Sequence, residues 1–349
     1  MGLRPRRAPG ILRRMSPWRD LLLVATRCPS PHNVQPWRVR VVDDRHAELW
    51  IEKRRTLPRE DTSGSFILLT MGMFLDALRL VAAHRGLRLA HEPVHPPDWY
   101  RAAHLEARTE ERFPFARMTL EPGPGLVPEY PLEVFLRRRT SRLPLHPQPV
   151  PDTALERIAA VAARHGQRLG FTRDPARIEQ ALALDAEAVA HDFNEAGYHD
   201  ELTSWFRYDE RASMRERDGL DARCMNATAL ELRLLAHAPW ILRAPVLGSV
   251  MRGRYRRRVG PVPTLAWLAG DFWSPGQAFD CGRALLAVWL EVTALGLVLH
   301  PFGNLVTHRP VAARHEALHG ESDLWLVFKL GSSPEPPESR RLPVEAVLL

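Results

Sequence analysis

Apolar residues recur along this chain at two spacings, helical and alternating, and the order in which they come is used twice. Pro17 to Thr26 carries hydrophobic positions at helical spacing, opened by Ser16 as N-cap with proline at the first helical position. After a proline-dense loop, Val39 and Val41, then Leu49 and Ile51, alternate with polar neighbours around Asp43 and Asp44, which predicts a β-hairpin. Ile67 to Arg85 is apolar at helical spacing and on nearly every face, so it predicts a core helix, and it closes on Gly86.

The second half repeats that grammar. Asp152 to His165 reads as an amphipathic helix with Asp152 as its cap, Phe279 to Leu295 as an apolar helix closing on Gly296, and Leu324 to Leu330 as a strand. The two long helices end alike, in Ala83-His-Arg-Gly-Leu87 and Thr293-Ala-Leu-Gly-Leu297, which points to an internal duplication. Proline-rich stretches at residues 91–98 and 121–131 bracket the end of the first half, and residues 331–337 precede a tail. Residues 181–246 have no counterpart in the first half. They are helical in pattern and rich in aromatic residues (Phe193, Trp205, Phe206, Tyr208), as suits a lid or an extra helical layer. The expected fold class is α+β, with mixed or antiparallel sheets covered by helices.

Composition narrows the classes. Hydrophobic residues at 45% and charged residues at 26% are ordinary for a globular chain. The apolar stretch from Ala284 to Leu299 is broken by Glu291 and is too short for a bilayer core, so no membrane association is expected. Cys28, Cys224 and Cys281 are far apart and odd in number, which argues against a disulfide framework and for a reducing, cytoplasmic setting. The arginines among residues 4–14 come without an apolar run before Asp20, unlike an export signal. Net charge is +7, nearly all of it from arginine, since Lys53 and Lys329 are the only lysines. The run Arg252-Gly-Arg-Tyr-Arg-Arg-Arg258 could track nucleic-acid phosphates, but with 41 acidic residues in the chain it reads better as a solvated basic surface.

Two strings carry candidate chemistry. Cys28-Pro-Ser-Pro-His-Asn-Val-Gln-Pro-Trp37 holds side-chain amides in a proline-bounded loop, able to donate and accept toward the edge of a heterocycle. On residues alone the better reading is a rigid turn around a buried Trp37. Arg137-Arg-Arg-Thr-Ser-Arg142 alternates guanidinium groups with hydroxyls, a donor set suited to phosphate or to a solvated basic loop.

The two strings resemble the flavin-binding motifs of the nitroreductase superfamily: a phosphate motif of form Arg-Arg-Ser-x-Arg, here with Thr140 in the serine place, and a loop of form Pro-Ser-x-x-Asn-x-Gln-Pro-Trp. Ordinary members form dimers in which each site takes one motif from each subunit. Here the motif order is reversed, which resembles the internally duplicated, single-chain branch: a pseudo-dimer with one composite FMN site. The resemblance covers residues 16–349 and implies a first half over residues 16–130 that supplies the loop, and a second over residues 131–349 that supplies the phosphate motif, with residues 181–246 as insert or lid.

By that resemblance Arg138, Thr140 and Arg142 hold the FMN phosphate, and Pro29, Ser30, Pro31 and Asn33 contact the flavin, while Gln35 and Trp37 support the loop. Pro301, Phe302 and Gly303 fall where backbone donors approach flavin N5, and Arg341, in preference to Arg340, returns from the tail to the phosphate. No catalytic side chain or metal is implied, because the cofactor carries the chemistry. The activity implied is electron transfer from NAD(P)H through FMN to a small acceptor such as a nitroaromatic or quinone. A rival is an FMN-sequestering protein without turnover; nucleic-acid binding ranks last. Since fusion supplies the dimer, a monomer or weak homodimer is expected.

Overall fold

The structure is a computed structural model and describes residues 16–242, 244–274 and 276–349. The N-terminal arginines at positions 4–14 lie outside them. Two four-stranded antiparallel sheets form the frame. The first contains β1 (Trp37–Val41), β2 (His46–Glu52), β3 (Leu87–Pro93) and β4 (Arg112–Pro122) in the order β1-β2-β4-β3. The second contains β5 (Arg168–Thr172), β6 (Leu265–Ala269), β7 (Val298–Pro301) and β8 (Leu324–Gly331) in the order β5-β6-β8-β7. Counted within each sheet, the strand order is therefore the same.

The helices repeat as well. Helix α1 (Pro17–Ala25) precedes the first sheet and α2 (Ser65–Ala83) connects its second and third strands. In the second half α3 (Asp152–Arg164) precedes the sheet. The tight β1–β2 turn is replaced between β5 and β6 by residues 173–264, which hold α4 (Pro175–Asp192), α5 (Ala196–Ser204) and α6 (Pro245–Val259), further helices, and a two-residue parallel ladder pairing Phe206 with Leu220. After β6, α7 (Gln277–Ala294) is the counterpart of α2. Both long helices end at glycines in the left-handed region, Gly86 at φ 66° and Gly296 at φ 73°, as their common Gly-Leu endings predict.

The caps differ from expectation in detail. Ser16 stands at the N-cap of α1, but its hydroxyl caps nothing. Asp152 is the first residue of α3, with Pro151 at the cap position, so its carboxylate acts on the helix dipole and not as a cap.

Helices α2 and α7 pack against each other at the centre of the molecule. They cross at two glycines. A Cβ on Gly72 would lie 2.1 Å from the Phe279 carbonyl oxygen, and one on Gly282 would lie 2.2 Å from that of Leu69. By length and composition α2 could cross a membrane, but 72% of its most apolar stretch is buried inside the protein, as a core helix should be.

The tail crosses back to the first half. Leu348 bridges Val39 of β1 in parallel, and the Leu349 amide donates to the Val39 carbonyl at 2.9 Å. In return, the segment ahead of α3 joins the second sheet: Thr140 bridges Leu299, and the Ser141 amide donates to the Leu299 carbonyl at 3.0 Å.

Candidate functional site

The proline loop is held by backbone strain and by three distant partners. His32, Asn33 and Gln35 all have positive φ (45°, 56° and 52°), a conformation that L-residues keep only where surrounding contacts enforce it. The Ser30 hydroxyl accepts from the Gln35 amide at 3.0 Å. The fully buried Gln35 side chain donates to the Arg217 carbonyl at 3.0 Å and accepts from the Leu342 amide at 2.8 Å, tying loop, insert and tail together. Trp37 stacks on Phe74 of α2 at 4.4 Å. Both residues therefore do structural work.

The loop and the arginine segment meet across a cavity of about 330 Å³, within the range of small-molecule sites. Pro29, Ser30 and Pro31 line one side, and Thr140, Arg142, Pro301, Phe302 and Gly303 line another. Met73 of α2 and Trp289 of α7 contribute from the central helix pair, and α4 and α5 from the insert.

Arg138, Arg341 and Asn33 do not line this cavity. They stand behind its wall in a basic cluster. Arg138 is buried, lies 4.6 Å over the Trp289 ring, and donates through Nη2 to the Arg27 carbonyl at 3.2 Å, while its Nε and Nη1 are buried without a partner. Arg341 donates to the Cys28 carbonyl at 3.3 Å and to Asn33 Oδ1 at 2.9 Å. Asn33 thus binds the tail, its Nδ2 donating to the Arg340 carbonyl at 3.1 Å. Arg340 itself turns to Glu210 and Ser213 of the insert, so Arg341 is the one that enters the cluster.

Among the described residues no carboxylate pairs with Arg138, Arg142 or Arg341. Burial, together with repulsion from Arg27 and Arg139, pulls Arg138 down to about 10. Burial, with Arg27 and Arg138 nearby, lowers Arg341 well below its ordinary value. Guanidinium groups gathered this way are costly alone and favourable around an anion, which supplies both charge and acceptors.

Sequence reasoning missed several residues here. Arg27 and Arg139 flank the cluster, and Glu338 of the tail pairs with them at 2.6 and 3.1 Å. Trp289 supplies the surface under Arg138 and donates its indole N–H to the Arg139 carbonyl at 3.3 Å. A tryptophan in an otherwise apolar helix was the available signal, since a buried indole N–H needs an acceptor. Glu60, Asp185 and Asp192, which also line the cavity, are spread through the chain without motif spacing.

Fold and site together define a duplicated α+β protein in which a cluster of buried arginines borders a cavity lined from both halves. No family profile matches the chain. A Mycobacterium tuberculosis chain named as the NAD(P)H nitroreductase acg is 24% identical over 332 residues, covering 93% of this chain and 92% of its own. A second M. tuberculosis chain named as an NAD(P)H nitroreductase is 30% identical over 206 residues, 57% of this chain and 54% of its own. PigM of Serratia sp., named likewise, is 21% identical over 82% of this chain and 79% of its own. Among solved structures, the FMN-dependent nitroreductase NfnB of Mycobacterium smegmatis in complex with NADPH is 17% identical over 61% of this chain and 94% of its own, with a TM-score of 0.39, an overlap too low to carry weight. Over most of its length the chain is therefore similar to proteins named as NAD(P)H nitroreductases.

Proposed function

We propose that the protein is an FMN-dependent oxidoreductase of nitroreductase type, drawing electrons from NAD(P)H and passing them to a small acceptor of the nitroaromatic or quinone kind. The observation that carries this reading is Arg138: a buried guanidinium with two unpartnered nitrogens, among other unpaired arginines, beside the Pro29–Pro31 wall. An FMN phosphate is close to a dianion and takes two or three arginines. Arg138, Arg142 and Arg341, with Thr140, would hold it. Pro29, Ser30 and Pro31 would pack against the ring from residues 16–130, Pro301, Phe302 and Gly303 would approach it from residues 131–349, and Asn33 would position Arg341.

Bound FMN supplies the two-electron chemistry. The part of the chain is to bind, orient and enclose: arginines at the phosphate, a strained and therefore preorganised loop at the ring, and α4 and α5 over the cavity. The names of the relatives support NAD(P)H as the reductant.

Purified protein should be yellow or take up FMN stoichiometrically, and anaerobic titration with NADH and NADPH should bleach the flavin absorbance. Protein that takes up no FMN would remove the reading. Steady NAD(P)H oxidation separates turnover from simple sequestration.

A further inference from the structure

One wall of the cavity is acidic, and the flavin assignment leaves it unused. Glu60, Asp185 and Asp192 all line the cavity, and among the described residues none has an arginine or lysine within ion-pair distance. Glu60 Oε2 meets His32 Nε2 at 3.1 Å, while its Oε1 would lie 3.9 Å from a Cβ placed on Gly303. Asp192 accepts from the Asn304 amide, and Asp185 from the Tyr255 hydroxyl. Asp185 is only 1% exposed, and its Oδ1 is buried without any partner.

This arrangement is costly as it stands. Burial, then the proximity of Asp192 and Asp61, pushes Glu60 up to about 8, and burial with Asp192 nearby brings Asp185 to about 7. Carboxyls that shared protons as an end in itself would hydrogen-bond to one another, yet no such bond joins these three. They approach the cavity separately, from the loop after β2 and from two positions on α4. The space between them suits a positive group, which would relieve the repulsion and give Asp185 Oδ1 its missing donor.

We propose that the acceptor reduced by this protein carries a cationic nitrogen, an ammonium or protonated heterocycle, seated between Glu60, Asp185 and Asp192. The proposal rests on the flavin reading for the word acceptor, but not for the charge preference. The site then has two signs: Arg142 in the cavity with Arg138 and Arg341 behind its wall for the cofactor phosphate, and carboxylates for the substrate.

Three ligands of nearly equal size test it: 4-nitrobenzylamine, 4-nitrotoluene and 4-nitrobenzoate, titrated by calorimetry into the oxidised, flavin-loaded protein without reductant. The ammonium ligand should bind at least about tenfold more tightly than the neutral one, and the carboxylate most weakly. Glu60→Gln and Asp192→Asn should each shrink the preference, with FMN uptake showing that the variants are folded. Equal affinities, the result if the wall serves only to hold protons, or a preference for 4-nitrobenzoate would overturn the proposal. Failure to take up FMN would instead overturn the flavin reading, and the same titration on the unloaded protein would still read the charge preference.

Discussion

Arg138 is more useful to a ligand than to the fold. Its burial is incompletely compensated, and replacing such a charge by an apolar side chain of similar length is often neutral or stabilising. Arg138→Met should therefore leave the thermal midpoint of the unloaded protein unchanged or higher while weakening FMN binding by about ten- to a hundredfold, the worth of one or two charge-assisted hydrogen bonds. Fluorescence titration and a melt without flavin measure both. A second consequence concerns pH. Glu60, raised from 4.5 to about 8, binds more protons folded than unfolded in that interval, so its stabilising effect is full below about 4.5 and is lost as pH rises to 8. His32, lowered from 6.5 to about 4, acts oppositely, losing stability as pH falls through that lower window. His91, His300, His315 and His319 are lowered like His32, so the wild-type curve sums both signs and the contribution of Glu60 is read by difference. Between pH 6.5 and 8 the melting temperature of unloaded Glu60→Gln should rise relative to that of the wild type.

At the scale of elements, the crossing of α2 and α7 is the tightest contact in the frame. Gly72 and Gly282 each face backbone oxygen of the other helix, and backbone cannot rotate away as a side chain can. Gly72→Ala should cost about 1–3 kcal/mol or more by overpacking, despite alanine's better helix propensity, and a chemical denaturation curve would show it. These two helices were legible in the sequence because nineteen and eighteen residues of sustained periodicity leave little room for another reading. Strand β4 was not. Its register shifts opposite Leu49 and Trp50, and that irregularity breaks the alternation that marks a strand. Residues 181–246 read as helical, which the end of α4, α5 and the short helices after it bear out, but the strand ladder there is two residues long and carries no pattern. In the site, the proline loop and the arginine string announced themselves through unusual composition. The acidic wall did not, because Glu60, Asp185 and Asp192 come together only through the docking of α4 over the loop after β2.

At the scale of the molecule, the two halves exchange arms. The tail pairs with β1 and delivers Arg341 behind the proline loop, while the segment around Thr140 pairs with β7. Deleting residues 338–349 should abolish FMN uptake and lower the melting temperature together, whereas Arg341→Ala should weaken uptake with a much smaller loss of stability. Comparing the two by absorbance and calorimetry distinguishes the mechanical part of the tail from its charge.

The repeated strand order has one more consequence. In an assembly of two identical chains every substitution is made twice, so neither face can change without the other. Here the equivalent positions are encoded separately. One turn could lengthen into residues 173–264 while its counterpart stayed four residues long, and one loop could keep its strained amides while the other was released from them. Covalent linkage has turned a symmetry constraint into a choice of side.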